Sequence, residues 1–111
     1  MNGYYELKNT AAGKPMFNLK AGNHEVILTS EVYESKDAAL NGIASVRKNG
    51  PNAASYEKKT SVKGEPFFVL KAANGQVIGK SEMYSSEAAR DNGIASVITN
   101  SPSEKVVEAE A

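Results

Sequence analysis

The chain has no cysteine, no tryptophan and one histidine, His24. Without cysteine there are no disulfides and no thiol catalysis, and the composition suits a reducing compartment, so a cytoplasmic location is expected. Neither sign of charge is in excess: thirteen Lys and Arg face thirteen Asp and Glu. No global field draws the chain to nucleic acid or to an anionic membrane. No apolar run approaches the roughly 18 residues of a membrane span. The start, Met1-Asn2-Gly3-Tyr4-Tyr5-Glu6, lacks the basic and apolar segments of a signal peptide. Phosphate-binding and nucleophile signatures are missing too: no Walker loop, no Gly-x-Gly-x-x-Gly, no Gly-x-Ser-x-Gly. A lone histidine in a turn has no partners for a metal site or an acid–base dyad. No metal, no cofactor, no membrane partner and no enzymatic activity are therefore expected.

What the sequence does have is an internal repeat. A shift of 51 residues places Tyr5-Glu6 on Tyr56-Glu57, Lys20-Ala21 on Lys71-Ala72, and Asn41-Gly42-Ile43-Ala44-Ser45-Val46 on Asn92-Gly93-Ile94-Ala95-Ser96-Val97 without a gap. Such self-similarity marks a duplicated structural unit. A half of about 50 residues lies near the size at which a core becomes marginal, so the two halves should share one. The expectation is a single domain over residues 1–111, built from repeats at about 4–54 and 55–109.

Each copy reads as three strands and a helix. Tyr4-Tyr5-Glu6-Leu7-Lys8 suits a half-buried strand, Asn9 to Lys14 is a breaker cluster, and Pro15-Met16-Phe17-Asn18-Leu19-Lys20 resumes the alternation with Phe17 and Leu19 on one face. Gly22-Asn23-His24 reverses the chain. The corresponding Asn74-Gly75 predicts a type I′ hairpin with positive φ at both central residues. Val26-Ile27-Leu28-Thr29 and Val77-Ile78 complete the two meanders. The period then changes to nearly four. Ser35 and Ser86 are predicted N-caps, and Ala38, Gly42, Ile43 and Val46, with Ala89, Gly93, Ile94 and Val97, fall on one helical face. Helices are predicted at about 36–48 and 87–99, closed by Pro51 and Pro102, with Asn49 and Asn100 placed where a left-handed cap is tolerated.

In the same register Val106-Val107-Glu108 falls against Ser55-Tyr56-Glu57 and Tyr4-Tyr5-Glu6, so the end of the chain begins a third copy. A segment that opens one unit can also close another. The expected fold is α+β: a tandem repeat of a β(3)-α-β unit in one antiparallel sheet, both helices on one face, with C-terminal strands exchanged between halves. The pattern Phe-x-Leu-Lys-Ala, an Asn turn, Val-Ile, Ser-Glu-x-Tyr, a Ser cap and Asn-Gly-Ile-x-Ser-Val spans Phe17 to Asn49 and again Phe68 to Asn100. It resembles the YegP-like domain of bacteria, a small domain of unknown function. The resemblance implies the doubled unit, one shared sheet and exchanged C-terminal strands, and brings no catalytic residues. Many relatives of that kind carry a Trp in the second strand, where this chain has Met16-Phe17 and Phe67-Phe68.

Glu6, Glu57 and Glu108 recur in register, as do Glu31 and Glu82, and cross-strand pairing of the first set with Lys8, Lys59, Lys20 and Lys71 is the expected arrangement. The binding candidates are of two kinds. Gly42 and Gly93 sit inside helices at a cost of roughly 1 kcal/mol each against alanine, so something must come close. That is either the protein's own packing, or a ligand read by Asn41 and Asn92. Met16, Phe67 and Val69 lie on the sheet face opposite Phe17 and Phe68, where an exposed apolar patch would serve a partner. The reading is a noncatalytic binding module, a monomer with pseudo-two-fold symmetry, taking a protein or peptide on the open sheet face or at a sheet edge. A nucleic-acid binder is the alternative and requires Lys20, Lys71, Arg47 and Lys48 on one surface. A small-molecule enzyme requires a deep pocket with a perturbed carboxylate near His24 or between Glu31 and Glu82.

Overall fold

A computed structural model describes residues 3–108, so the predicted repeat end at 109 lies outside the described residues. The elements are β1 (Tyr4–Asn9), β2 (Pro15–Lys20), β3 (Val26–Ser30), α1 (Lys36–Asn49), a short 3-10 turn (Ala53–Ser55), β4 (Tyr56–Thr60), β5 (Pro66–Lys71), β6 (Val77–Lys80), α2 (Glu87–Asn100) and β7 (Val106–Glu108). They form one seven-stranded sheet in the order β4-β5-β6-β3-β2-β1-β7. The two meanders join through β3 and β6, where Thr29 opposes Lys80 and Ser30 opposes Gly79, so the pseudo-two-fold axis runs between these strands.

The helices begin where their caps require. Ser35 Oγ accepts from Ala38 N at 3.1 Å and Ser86 Oγ from Ala89 N at 3.1 Å, satisfying N–H groups that a first turn leaves free. They do not end as expected. Asn49 and Asn100 remain helical and turn their amides back to the Ser45 and Ser96 carbonyls at 2.9 and 2.8 Å. The cap residues Gly50 and Ser101 are right-handed, with N–H groups bonded to Val46 and Val97. The side-chain amide stays inside the last turn, so no left-handed residue is needed there.

The hairpins also differ from the type I′ expectation. Between β5 and β6, Ala72 N donates to Gln76 O at 2.8 Å and Gly75 N to Ala72 O at 2.9 Å, leaving a three-residue loop in which only the last residue is left-handed, Gly75 at φ 85°. That is a type I turn followed by a bulge residue, the geometry a loop one residue longer adopts. The other three hairpins share it, with Gly13, His24 and Gly64 at the left-handed position.

The helices and the inward sheet face enclose one core containing Tyr5, Phe17, Leu19, Leu28, Ile43, Val46, Phe68, Leu70 and Val97, each essentially inaccessible. A bulge opposite Lys20 lets the successive residues Ile27 and Leu28 both be buried, and the second copy repeats it at Ile78. At the axis the copies are deliberately unequal. A Cβ on Gly79 would stand 2.8 Å from Leu28 Cδ2, and one on Gly50 would overlap the side chain of Ser101. Residues 28 and 79, and 50 and 101, are repeat equivalents, so each large member occupies room that its small equivalent leaves.

One strand corrects the expected sheet. β1 to β6 are antiparallel throughout, but β7 pairs with β1 in parallel, Tyr5 beside Val106, Glu6 beside Val107 and Leu7 beside Glu108. As expected, the strand after each helix crosses to the other half. Residues leaving α1 become β4 and pair only with β5. Those leaving α2 follow the same path, find the equivalent position already held by β1, and lie alongside it in the same direction.

Candidate functional site

The outward sheet face carries ion-pair ladders. Glu6 lies 3.2 Å from Lys20 and 3.8 Å from Lys8, and Glu57 lies 3.2 Å from both Lys59 and Lys71. Lys59 and then Lys71 hold the Glu57 carboxyl below the ordinary carboxylate range through hydrogen bonds and charge. The carboxylates therefore pair with lysines, while Glu108 turns to the helix side and meets Lys36.

The apolar patch expected on this face is not assembled. Val69 is buried, only 5% exposed, between Glu57 and Lys80 in the ladder. Phe67 is half-buried with the Lys80 ammonium 5.4 Å from its ring centroid. Met16 sits on β2, three strands from Phe67 on β5, or roughly 14 Å at the usual strand spacing. Lysine stems cover the apolar atoms, as long charged side chains do on a sheet whose inner face already buries the core.

The helix glycines are explained by the protein's own tyrosines. Tyr33 stacks on Phe17 with centroids 6.1 Å apart and carries its hydroxyl to Gly42, where a Cβ would overlap it. Tyr84 stacks on Phe68 at 6.3 Å and meets Gly93 in the same way. Burial raises both phenol pKa values above 10.0. Gly42 and Gly93 are thus filled from within, while Asn41 and Asn92 stay exposed on the helix surface. His24 takes its left-handed φ of 70° in an exposed hairpin, with the Tyr4 hydroxyl 2.9 Å from Nδ1 and the two rings edge to face. Arg47 does not join Lys20 and Lys71. It lies on the helix side, donating to Ser103 O at 2.8 Å with its guanidinium 5.3 Å from the Tyr5 ring centroid.

A different surface emerges at the β4 edge. In the first half, β7 covers β1: Tyr5 N donates to Lys105 O at 2.9 Å, Val106 packs on the core, and Lys36 closes on Glu108. In the second half nothing among the described residues covers β4. Between that strand and α2 runs a groove of about 420 Å³ lined by Ala53, Tyr56, Lys58, Asp91, Ile94, Ala95 and Ile98. By the repeat relation Tyr56, Lys58, Asp91, Ile94, Ala95 and Ile98 are the equivalents of Tyr5, Leu7, Leu40, Ile43, Ala44 and Arg47 on β1 and α1, in the half where β7 pairs with β1. Tyr56 forms the floor, its hydroxyl fixed to Gly50 O at 2.7 Å as that of Tyr5 is to Ser101 O. Burial pushes both phenols far above 10.0. Lys58 replaces Leu7 and Asp91 replaces Leu40, forming an ion pair of 3.2 Å at one end. Ile98 replaces Arg47 at the other. The sequence signals were present in these three replacements, but only the sheet order shows that they share one groove.

Two segments, residues 11–57 and 61–108, match the family described as a domain of unknown function, DUF1508. The chain belongs to this family. Among DUF1508 relatives, a UPF0339 protein of Bordetella pertussis is 58% identical over 102 residues, covering 92% of this chain and 91% of the relative. The UPF0339 protein YegP of Escherichia coli K12 is 52% identical over 106 residues, covering 96% of each. The solution structure of the E. coli protein of unknown function yegP superposes with a TM-score of 0.92 at 51% identity, over 97% of this chain and 93% of that one. The UPF0339 protein of Shewanella oneidensis gives 0.91 at 52%, over 97% and 92%. These relatives are uncharacterised, so the DUF1508 match fixes ancestry and fold and assigns no catalytic or binding role.

Proposed function

We propose that this DUF1508 protein is a noncatalytic interaction module of the bacterial cytosol that binds a protein or peptide by adding a strand to β4. One observation carries the reading: β4 and β1 are repeat equivalents, and among the described residues β1 is covered by a strand while β4 is bare beside an apolar groove. A free strand edge beside side-chain pockets is the arrangement by which extended peptides are held, with main-chain bonds supplying affinity and the pockets selectivity. The open sheet face offers less, because Val69 is buried and the Lys80 ammonium stands over Phe67. Nucleic acid is disfavoured, because Lys20 and Lys71 are paired with carboxylates and Arg47 is spent on Ser103. No helix among the described residues is long and apolar enough to cross a membrane.

Selection from a random-peptide display library against the whole chain tests the reading. Enriched peptides should lose binding to an Ile98→Glu variant shown to be folded, because a carboxylate in the groove lining must be desolvated by any apolar occupant. Peptides that bind both forms equally, or no enrichment at all, sink it.

A further inference from the structure

The bare groove is not a copy of the seat that β7 occupies, and the differences state what fits it. Three positions of the bound strand matter. At the position of Val106, the first-half seat is apolar, and its equivalent over Tyr56 and Ile94 is apolar too. At the position of Ser103, in the connection just before the strand, the seat supplies the Arg47 guanidinium to the backbone carbonyl, whereas the groove supplies Ile98. At the position of Glu108 the seat supplies Lys36, and the groove places Glu87 at the equivalent point. Glu87 is 81% exposed, 3.6 Å from Arg90, whose own side chain is almost fully buried. Lys58, the equivalent of the Leu7 that lies in register with Glu108, is held by Asp91 at 3.2 Å. The exposed outer residue has therefore changed from a cation to an anion, with Lys58 and Asp91 beside it as a closed pair.

Resting on the strand-addition reading, we propose that the β4 groove takes an extended, parallel peptide with an aliphatic side chain at the position of Val106 and a lysine or arginine two residues later. The chain's own tail is rejected there. Its Glu108 would exchange an attractive Lys36 for a repulsive Glu87, and its Ser103 carbonyl would lose a charged donor. Discrimination of this kind depends on building repulsion against the wrong partner as well as attraction for the right one. It also keeps the free edge from polymerising through exchange of β7 between copies, the hazard that any exposed edge presents.

The backbone supports such a strand in part. Tyr5 N–H points to β7, so by the repeat relation the outward groups of β4 are those of Tyr56 and Lys58. Tyr56 N–H is already taken by Ala53 O in the 3-10 turn. An added strand thus begins its ladder at the Tyr56 carbonyl and continues to the Lys58 N–H, one bond fewer than β7 makes. Weak, side-chain-selected binding follows.

The test uses the whole chain, isotope-labelled, titrated with three peptides: residues 103–108, the same peptide with Glu108→Lys, and that one with Val106→Asp added. Amide shifts should move at Lys58 and along α2 at Ile94 and Ile98. The Glu108→Lys peptide should bind about threefold to tenfold more tightly than the native tail, the range expected when one exposed like-charge contact becomes an opposite-charge one. The Val106→Asp form should not bind. In a Glu87→Lys variant, first shown to be folded because it takes the acidic partner of Arg90 from the opening turn of α2, the preference should reverse. Equal affinities for the first two peptides, with shifts at Lys58, would overturn the charge selectivity and leave strand addition standing. No shift at Lys58 with any peptide overturns both. Concentration-dependent broadening at β4 without peptide shows a second copy on the edge and overturns the peptide assignment.

Discussion

Gly42 shows how one residue settles a choice that its sequence left open. A helix glycine on an apolar face predicts close approach, by ligand or by protein, and the Tyr33 hydroxyl makes that approach. Alanine there gains helix propensity of about 1 kcal/mol. It also collides with Tyr33 and brings Phe17 Cε2 to 3.0 Å, and overpacking of this kind costs about 1–3 kcal/mol. Gly42→Ala should lower unfolding free energy by about 1 kcal/mol net. In a urea double-mutant cycle with Tyr33→Ala the two losses should be less than additive; strict additivity would mean that Tyr33 is not what excludes the methyl. His24 is the second instructive residue. It was legible as a turn residue, but its left-handed conformation and its contact with Tyr4, 20 residues away, needed the fold.

Among the elements, strands β4 and β5 hold the charge ladder in which Glu57 bridges Lys59 and Lys71. A carboxyl whose folded pKa is depressed contributes stability that is present above its unfolded value of 4.5 and is lost as pH falls through the lower folded value. Unfolding followed by denaturant between pH 6 and pH 3 should therefore show a steeper loss for the native chain than for Glu57→Gln. Parallel curves would mean that the pair is fully screened, as many exposed pairs are. Strand pairing inside each half was readable from alternation and turn residues. The direction of β7 was not, because a three-residue strand has no pattern that distinguishes parallel from antiparallel neighbours; its direction follows from where α2 ends.

For the whole molecule, the most consequential feature is the inequality of the halves at their axis. In a symmetric pair, two leucines at the positions of Leu28 and Gly79 would compete for one space, and two glycines would leave it empty. Joining the halves in one chain allows one of each. Leu28→Gly should cost about 3–5 kcal/mol through its cavity, and Gly79→Leu about 1–3 kcal/mol through overpacking. The exchanged double variant should recover at least about 1 kcal/mol relative to their sum, measured by denaturant unfolding. A fully additive double variant would show that the two sites do not share one space. The same inequality produces the candidate groove, since the single C-terminal strand can cover only one of two equivalent edges.

By itself the sequence determined the repeat, the seven segments capable of forming strands and both helices to within a residue of their ends, because those follow from local periodicity, caps, breakers and self-similarity, while the family was legible from its motif resemblance. It also determined that Glu6 and Glu57 would pair with lysines on one sheet face, although Lys8 and Lys59 do so from the same strand and only Lys20 and Lys71 across to the next, as diagonal neighbours. Tertiary structure alone decided that Val69 is covered, that Met16 and Phe67 stand apart, that tyrosines fill the helix glycines, and that β4 is left bare. Each of these depends on which strand lies next to which, and strand order is set by contacts between residues far apart in the chain, where no local pattern records it.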